Sequence, residues 1–296
     1  MNLTCELPAG VSLSDSRNEY ASESSIPLIR VETPLCRAVL ALQGAQLLSF
    51  VPESGRDWLW LSRQAEFAPG KAVRGGIPLC LPWFGVNRRR PELPKHGWLR
   101  QRDWQLQAAS CDAEGVVSLQ LATASLPSEL PDFPWVYEVE VEYRLGRQIE
   151  LELRVRNCSD TVMPLSFAAH SYFSAIIEQT QVFGLGSGRF LDNTDSLLAK
   201  QQVEPQTFFG EVDRVFEGAG GRQRLLTGSQ TLDVSGEGCD TLVIWNPGER
   251  LAADMKDVGG GYRDYVCVER GMAFADELAL APGDDCVARM VISTAT

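Results

Sequence analysis

Two histidines occur in the 296-residue chain, His96 and His170. Imidazole is the side chain whose ordinary pKa lets it both give and take a proton near neutrality, so each is a candidate for acid–base work. His96 lies in Pro94-Lys95-His96-Gly97-Trp98-Leu99-Arg100, and His170 follows a mostly apolar stretch and precedes Ser171-Tyr172-Phe173. Glu269 closes the run Tyr265-Val266-Cys267-Val268 and precedes Arg270-Gly271. In a strand it shares a face with Cys267 and Tyr265, opposite Val268. A carboxyl at the end of an apolar strand is a group whose pKa rises through desolvation, as a general acid or base requires. The competing reading of Glu269 is an edge-strand carboxylate at the surface or paired with Arg270. Taken singly, each histidine also suits a purely structural role.

The cations point to a different chemistry. In Arg74-Gly75-Gly76-Ile77-Pro78 the paired glycines permit close backbone approach, and the arginine projects from a tight bend. A guanidinium fork suits a carboxylate or phosphate. From position 88 to 102 the chain carries Arg88, Arg89, Arg90, Lys95, Arg100 and Arg102, although its net charge is −12. Such a stretch is either a solvated basic loop or a local attractor for a small anion. The acidic whole excludes a nucleic-acid partner. There is no Walker loop, G-x-S-x-G elbow, dinucleotide fingerprint or H-E-x-x-H, which argues against nucleotide, serine-hydrolase and zinc-protease chemistry.

These side chains must be positioned mainly by strands. Tyr137, Val139, Val141, Tyr143 and Leu145 alternate with charged residues; after Gly146, so do Ile149, Leu151, Leu153 and Val155. That period of two across a short turn predicts a hairpin with Glu opposite Arg on its outer face. Further strand patterns run through 117–121, 232–234, 241–245 and 288–292, and short helical turns are expected near 195–200. The expected fold class is all-β: one antiparallel sandwich domain over 26–296, preceded by an N-terminal arm over 1–25 rich in Ser, Asp and Glu. Eight cysteines without a CxxC pair, the lack of a secretory pattern in the first twenty residues, and the absence of any long apolar run predict a cytoplasmic protein with reduced thiols. No metal and no membrane partner are expected.

In order along the chain stand Arg74-Gly-Gly-Ile-Pro-Leu-Cys-Leu-Pro-Trp-Phe-Gly85, Pro94-Lys-His-Gly-Trp-Leu-Arg100, His170-Ser-Tyr-Phe173, Val212-Asp-Arg-Val-Phe216, Trp245-Asn-Pro247, Met255-Lys-Asp257 and Val266-Cys-Val-Glu269. This series resembles the hexose-6-phosphate mutarotases (glucose-6-phosphate 1-epimerases) of the aldose 1-epimerase group, over about residues 28–292. It departs from their pattern at Lys95, where glutamine is common, and at Gly248, where tryptophan is common. The resemblance implies a galactose mutarotase-like β-supersandwich acting without a cofactor on a small-molecule hexose 6-phosphate, as a monomer. By the same motifs His170 would be the general acid and Glu269 the general base. Arg74, Lys95, His96, Arg100 and Asp213 would bind substrate, and each cycle would start with Glu269 ionised and His170 protonated. A salt bridge to Arg214 or another arginine is the competing role for Asp213. The alternative functions are an epimerase for unphosphorylated aldoses and a non-catalytic carbohydrate-binding module.

Overall fold

A computed structural model describes residues 5–125 and 130–295. Its described strands are almost all antiparallel and form two eight-stranded sheets, a four-stranded sheet and a two-stranded ribbon. One large sheet contains the expected hairpin, Tyr137–Leu145 paired with Ile149–Asn157. Its register puts Glu138 opposite Arg156, Glu140 opposite Arg154 and Arg144 opposite Glu150. The one like-charge pairing, Glu142 with Glu152, is relieved from both sides: Ser118 donates to Glu142, and Arg289 pairs with Glu152 at 2.6 Å. The inward residues of both strands are buried in the main core, so a one-residue slip would expose all of them.

The second large sheet holds the chemistry. Its strands run Leu198–Gln201, Arg189–Asp192, Val212–Phe216, Thr241–Asn246, Tyr265–Met272, Phe167–Ala169 and Leu79–Cys80, with Tyr172–Ser174 also paired to Tyr265–Met272. One face of its centre sends Leu242, Ile244, Val266 and Val268 into the main core. The opposite face presents Asp213, Trp245, Cys267 and Glu269, since Asp213 pairs with Trp245 and Trp245 with Cys267 across neighbouring strands. Period-two alternation thus separates a packing face from a working face on the same strands. An aromatic group of Trp60, Tyr172 and Tyr265 packs beside the working face.

Several local expectations change. Around 195–200 only Asn193–Asp195 is helical, and Leu198–Gln201 is a strand. A seven-residue helix, Gly248–Asp254, follows the Asn-Pro-Gly turn; it is too short to show a helical period in the sequence. Of the expected N-terminal arm, residues 1–4 lie outside the described residues. Val11–Asp15 forms a strand along Pro27–Glu32, and Asp15 caps the helix Ser16–Tyr20 by accepting from the backbone of Arg17 and Asn18. Residues 11–20 are therefore joined to the four-stranded sheet across the boundary expected at 25/26. No helix among the described residues is long and apolar enough to cross a membrane.

Candidate active site

The central strand Tyr265–Met272 explains how two residues 99 positions apart come together. Ala169 pairs with Arg270 and Tyr172 with Cys267. Carrying that one register across the two intervening residues puts His170 opposite Glu269 and Ser171 opposite Val268. The break in the ladder is anchored elsewhere: the His170 amide donates to the Pro78 carbonyl and the Val268 amide to the Ser171 carbonyl. His170 Nε2 lies 3.4 Å from Glu269 Oε1, and the side chains are 9% and 1% exposed. Glu269 is thus on an interior strand of its sheet, and the edge-strand alternative does not describe it. Arg270 turns to the other side, where it donates to the Ala219 carbonyl and to Gln223.

Burial sets the protonation of the pair. Desolvation holds the Glu269 carboxyl well above the usual carboxylate range, and Asp213 adds to the effect. Desolvation, followed by His96, Arg100 and Arg74, holds His170 well below the usual imidazole range. Burial thus disfavours the charged form of each partner. Both shifts run against the charges expected at the start of a cycle, and their cause is the dryness of the site, which sequence motifs do not report. Glu269 Oε2 and His170 Nδ1 are buried without hydrogen-bond partners. Such orphaned atoms are rare and are suited to a bound polar molecule.

The other expected residues gather around this pair, lining a cavity of about 950 Å³ that contains Arg74, Lys95, His96, Arg100, Asp213 and the pair itself. His96 takes a left-handed backbone, φ 66°, and its ring stands edge-on to His170 at 5.6 Å. Its Nδ1 accepts from the Gly85 amide at 3.3 Å, which leaves Nε2 to carry the proton. Burial, then Arg100, Lys95 and Arg74, push its pKa down to about 3, so it is a neutral donor. Asp213 accepts from Asn193 Nδ2 at 2.7 Å, and burial raises its pKa. Arg214 bonds Gln206 and stacks on Phe190, which rules out the competing Asp213–Arg214 pairing.

The three expected cations differ in kind. Arg74 is committed: its Nε donates to Asp257 at 2.8 Å and its Nη1 to the Tyr172 hydroxyl at 3.0 Å, while Tyr172 stacks on His170 at 4.8 Å. The glycine pair makes this possible, because a Cβ on Gly76 would stand 2.2 Å from the Leu47 carbonyl oxygen. Arg100 donates to the Lys95 carbonyl, and its Nε is buried without a partner. Among the described residues no carboxylate ion pair joins Arg100 or Lys95. Gly248 is not a wall of the cavity; a Cβ there would meet the Glu211 amide nitrogen at 2.5 Å, and Leu251 of the helix it starts and Met255 just past its end line the cavity instead.

Sequence reasoning missed Tyr172 and Asp257 as holders of Arg74, although both lie inside the motifs. It also missed Phe274, which has a left-handed backbone at φ 58° and lines the cavity with the Arg88 guanidinium 4.9 Å above its ring. A positive φ on an aromatic residue leaves no mark in the sequence. Of the basic segment, Arg88, Arg89, Arg90, Lys95 and Arg100 line the cavity, and Arg90 is paired with Glu92 and Asp132. One donor atom each from His170, Cys267 and Glu269 lie within 4.8 Å of one another, the one such buried group found among the described residues.

Residues 27–293 match the family model described as aldose 1-epimerase. A protein of Salmonella typhimurium, provisionally named a glucose-6-phosphate 1-epimerase, is 35% identical over 261 residues, 86% of each chain. One of Cenchrus ciliaris with the same provisional name is 33% identical over 276 residues, 87% of this chain and 81% of that one. A Salmonella typhimurium crystal structure, provisionally described as a mutarotase, superposes with a TM-score of 0.84 at 32% identity, covering 92% of this chain and 91% of that one.

Proposed function

The chain belongs to the aldose 1-epimerase family, and we propose that it is a hexose-6-phosphate mutarotase, interconverting the α and β anomers of glucose 6-phosphate. The observation that supports this best is the buried His170–Glu269 contact of 3.4 Å on the wall of a cavity rimmed by cations.

Anomer exchange needs a base at the C1 hydroxyl and an acid at the ring oxygen. The pair stores one proton between its members. The neutral form and the imidazolium–carboxylate form have equal net charge, so a proton passing from Glu269 to His170 converts the stored state into the working one. A sugar whose hydroxyls reach the orphaned Glu269 oxygen favours that shift by hydrogen-bonding the carboxylate. Glu269 then takes the C1 hydroxyl proton, the C1–O5 bond breaks, and His170 protonates O5. The open aldehyde rotates about C1–C2, and the reverse transfers close the ring on its other face. Each positioned transfer contributes about 10²–10⁴-fold.

His96, neutral with its proton on Nε2, donates to a ring substituent, and Asp213 accepts from a sugar hydroxyl. Arg74, fixed by Asp257, acts beside the reacting centre. Lys95 and Arg100 keep their charge available for the 6-phosphate, and anchoring that remote group orients C1 against the pair. The ring chemistry requires no metal or organic cofactor. Its setting is the cytosol, in keeping with eight free thiols.

The test is NMR exchange spectroscopy on glucose 6-phosphate and on glucose. Exchange of the phosphorylated sugar far above buffer, and faster than that of glucose, is the expected result. Exchange at the buffer rate would leave a binding module, and equal rates on the two sugars would leave an epimerase for free aldoses.

A further inference from the structure

Cys267 has no part in the ring chemistry, yet its thiol lies on the working face two residues from Glu269. It is fully buried and faces Tyr172 and Trp245 across its two neighbouring strands. With His170 and Glu269 it completes a nitrogen, sulfur and oxygen donor set within 4.8 Å, in which Glu269 Oε2 and His170 Nδ1 have no hydrogen-bond partner. We propose that His170, Cys267 and Glu269 form a binding site for a thiophilic divalent cation, Zn²⁺ foremost, and that its occupation switches the enzyme off.

The geometry is close to what the ion needs. Zinc bond lengths of about 2.0–2.3 Å set neighbouring donors of a tetrahedron about 3.4–3.6 Å apart. The His170 Nε2–Glu269 Oε1 separation is already 3.4 Å. The sulfur lies within 4.8 Å of both partners, and the cavity that His170 and Glu269 line can supply a fourth ligand.

Charge balance favours the exchange. The thiol of Cys267 and the carboxyl of Glu269 each release a proton, His170 supplies a neutral lone pair, and one M²⁺ replaces two H⁺. Two anionic donors and one M²⁺ sum to zero, so the occupied site buries no net charge. Donor chemistry selects the ion. A single oxygen, one imidazole and one thiolate suit Zn²⁺ and Co²⁺, whereas Mg²⁺ and Ca²⁺ demand oxygen-rich shells of six or more. The Mg²⁺ that accompanies sugar phosphates is therefore ignored. Once the ion sits there, Glu269 has no free carboxylate and His170 no free nitrogen, and proton transfer stops.

Metal binding stands on the donor set alone; inhibition rests on the mutarotase reading. The experiment separates them. Metal-free protein is titrated with Co²⁺ and followed by absorbance, and glucose 6-phosphate exchange is measured with Zn²⁺, with Mg²⁺ and after EDTA. One Co²⁺ per chain with thiolate-to-cobalt charge-transfer absorption, Zn²⁺ inhibition reversed by EDTA, and indifference to Mg²⁺ are expected. In Cys267→Ala and Cys267→Ser the absorption band disappears, and the Zn²⁺ concentration for half-inhibition rises by about tenfold or more, the loss that even an outer-shell change brings. A wild-type protein without the band overturns the site, whatever the variants do. Equal Zn²⁺ inhibition of wild type and the Cys267 variants overturns it as well. Failure of metal-free wild type to catalyse exchange overturns the mutarotase reading and leaves the cobalt result to decide the site.

Discussion

Replacing Glu269 with glutamine separates what this residue does for the reaction from what it costs the fold. Its carboxyl is 1% exposed, and burial holds its pKa well above the ordinary value of 4.5. In the unfolded chain it ionises freely above pH 4.5. A group whose folded pKa is raised stabilises the fold fully only below its unfolded pKa, and that contribution is lost as pH rises toward the folded pKa. Each pH unit that lies between the unfolded and the folded pKa costs the wild-type protein about 1.36 kcal/mol. Glutamine is neutral in both states, has nearly the same shape, and can still meet His170 Nε2. Glu269→Gln is therefore expected to stabilise the protein at pH 7. The gain should shrink steadily on acidification and vanish near pH 4.5. Urea denaturation at half-unit pH steps measures it, while NMR exchange should show activity falling by about 10²–10⁴-fold, the worth of one positioned proton transfer. A variant that is less stable at pH 7, or whose stability gain does not vary with pH, would show that Glu269 is ionised in the folded protein. Undiminished exchange would remove it from the mechanism.

Two further outcomes follow from the same groups. His170 and His96 are both held below the ordinary imidazole range, so the unfolded chain takes up their protons first, and their stabilising contribution falls away as pH drops below 6.5. In the wild type the raised Glu269 carboxyl opposes this loss, so stability should fall more steeply on acidification below pH 6.5 in Glu269→Gln; an unchanged slope in that variant contradicts the raised Glu269 pKa. Lys95→Gln and Arg100→Gln should raise KM for glucose 6-phosphate by about 10-fold or more, at the 1.5–3 kcal/mol of a hydrogen bond to a charged group, with kcat and the rate on glucose nearly unchanged. A matching loss on glucose would move these cations from the phosphate to the sugar ring.

Much of the working face could be read before any coordinates. The alternation of Tyr265, Cys267 and Glu269 against Val266 and Val268 is a local property of one strand, and the structure sends the two sets to opposite faces as the period requires. The helix at Gly248–Asp254 and the strand at Leu198–Gln201 escaped because short elements carry too few periods to be told apart, and their conformation is decided by what they pack on. The alternation in Val11–Asp15 is too short to announce a strand, and its pairing with Pro27–Glu32 supplies the order.

By itself the sequence determined the strand periodicity, the family to which the ordered motifs belong, and which residue types were available for proton transfer and anion binding. Those are properties of neighbours along the chain. The tertiary structure decided the rest, because it depends on pairing between distant segments. A continuous register sets His170 across from Glu269, and burial then disfavours the charge on each. A contact spanning 183 positions spends the Arg74 charge on Asp257 and leaves Lys95 and Arg100 without a carboxylate partner among the described residues. The same register brings the Cys267 thiol up to an acid–base pair, a nearness that no spacing of cysteines and histidines along the chain could reveal.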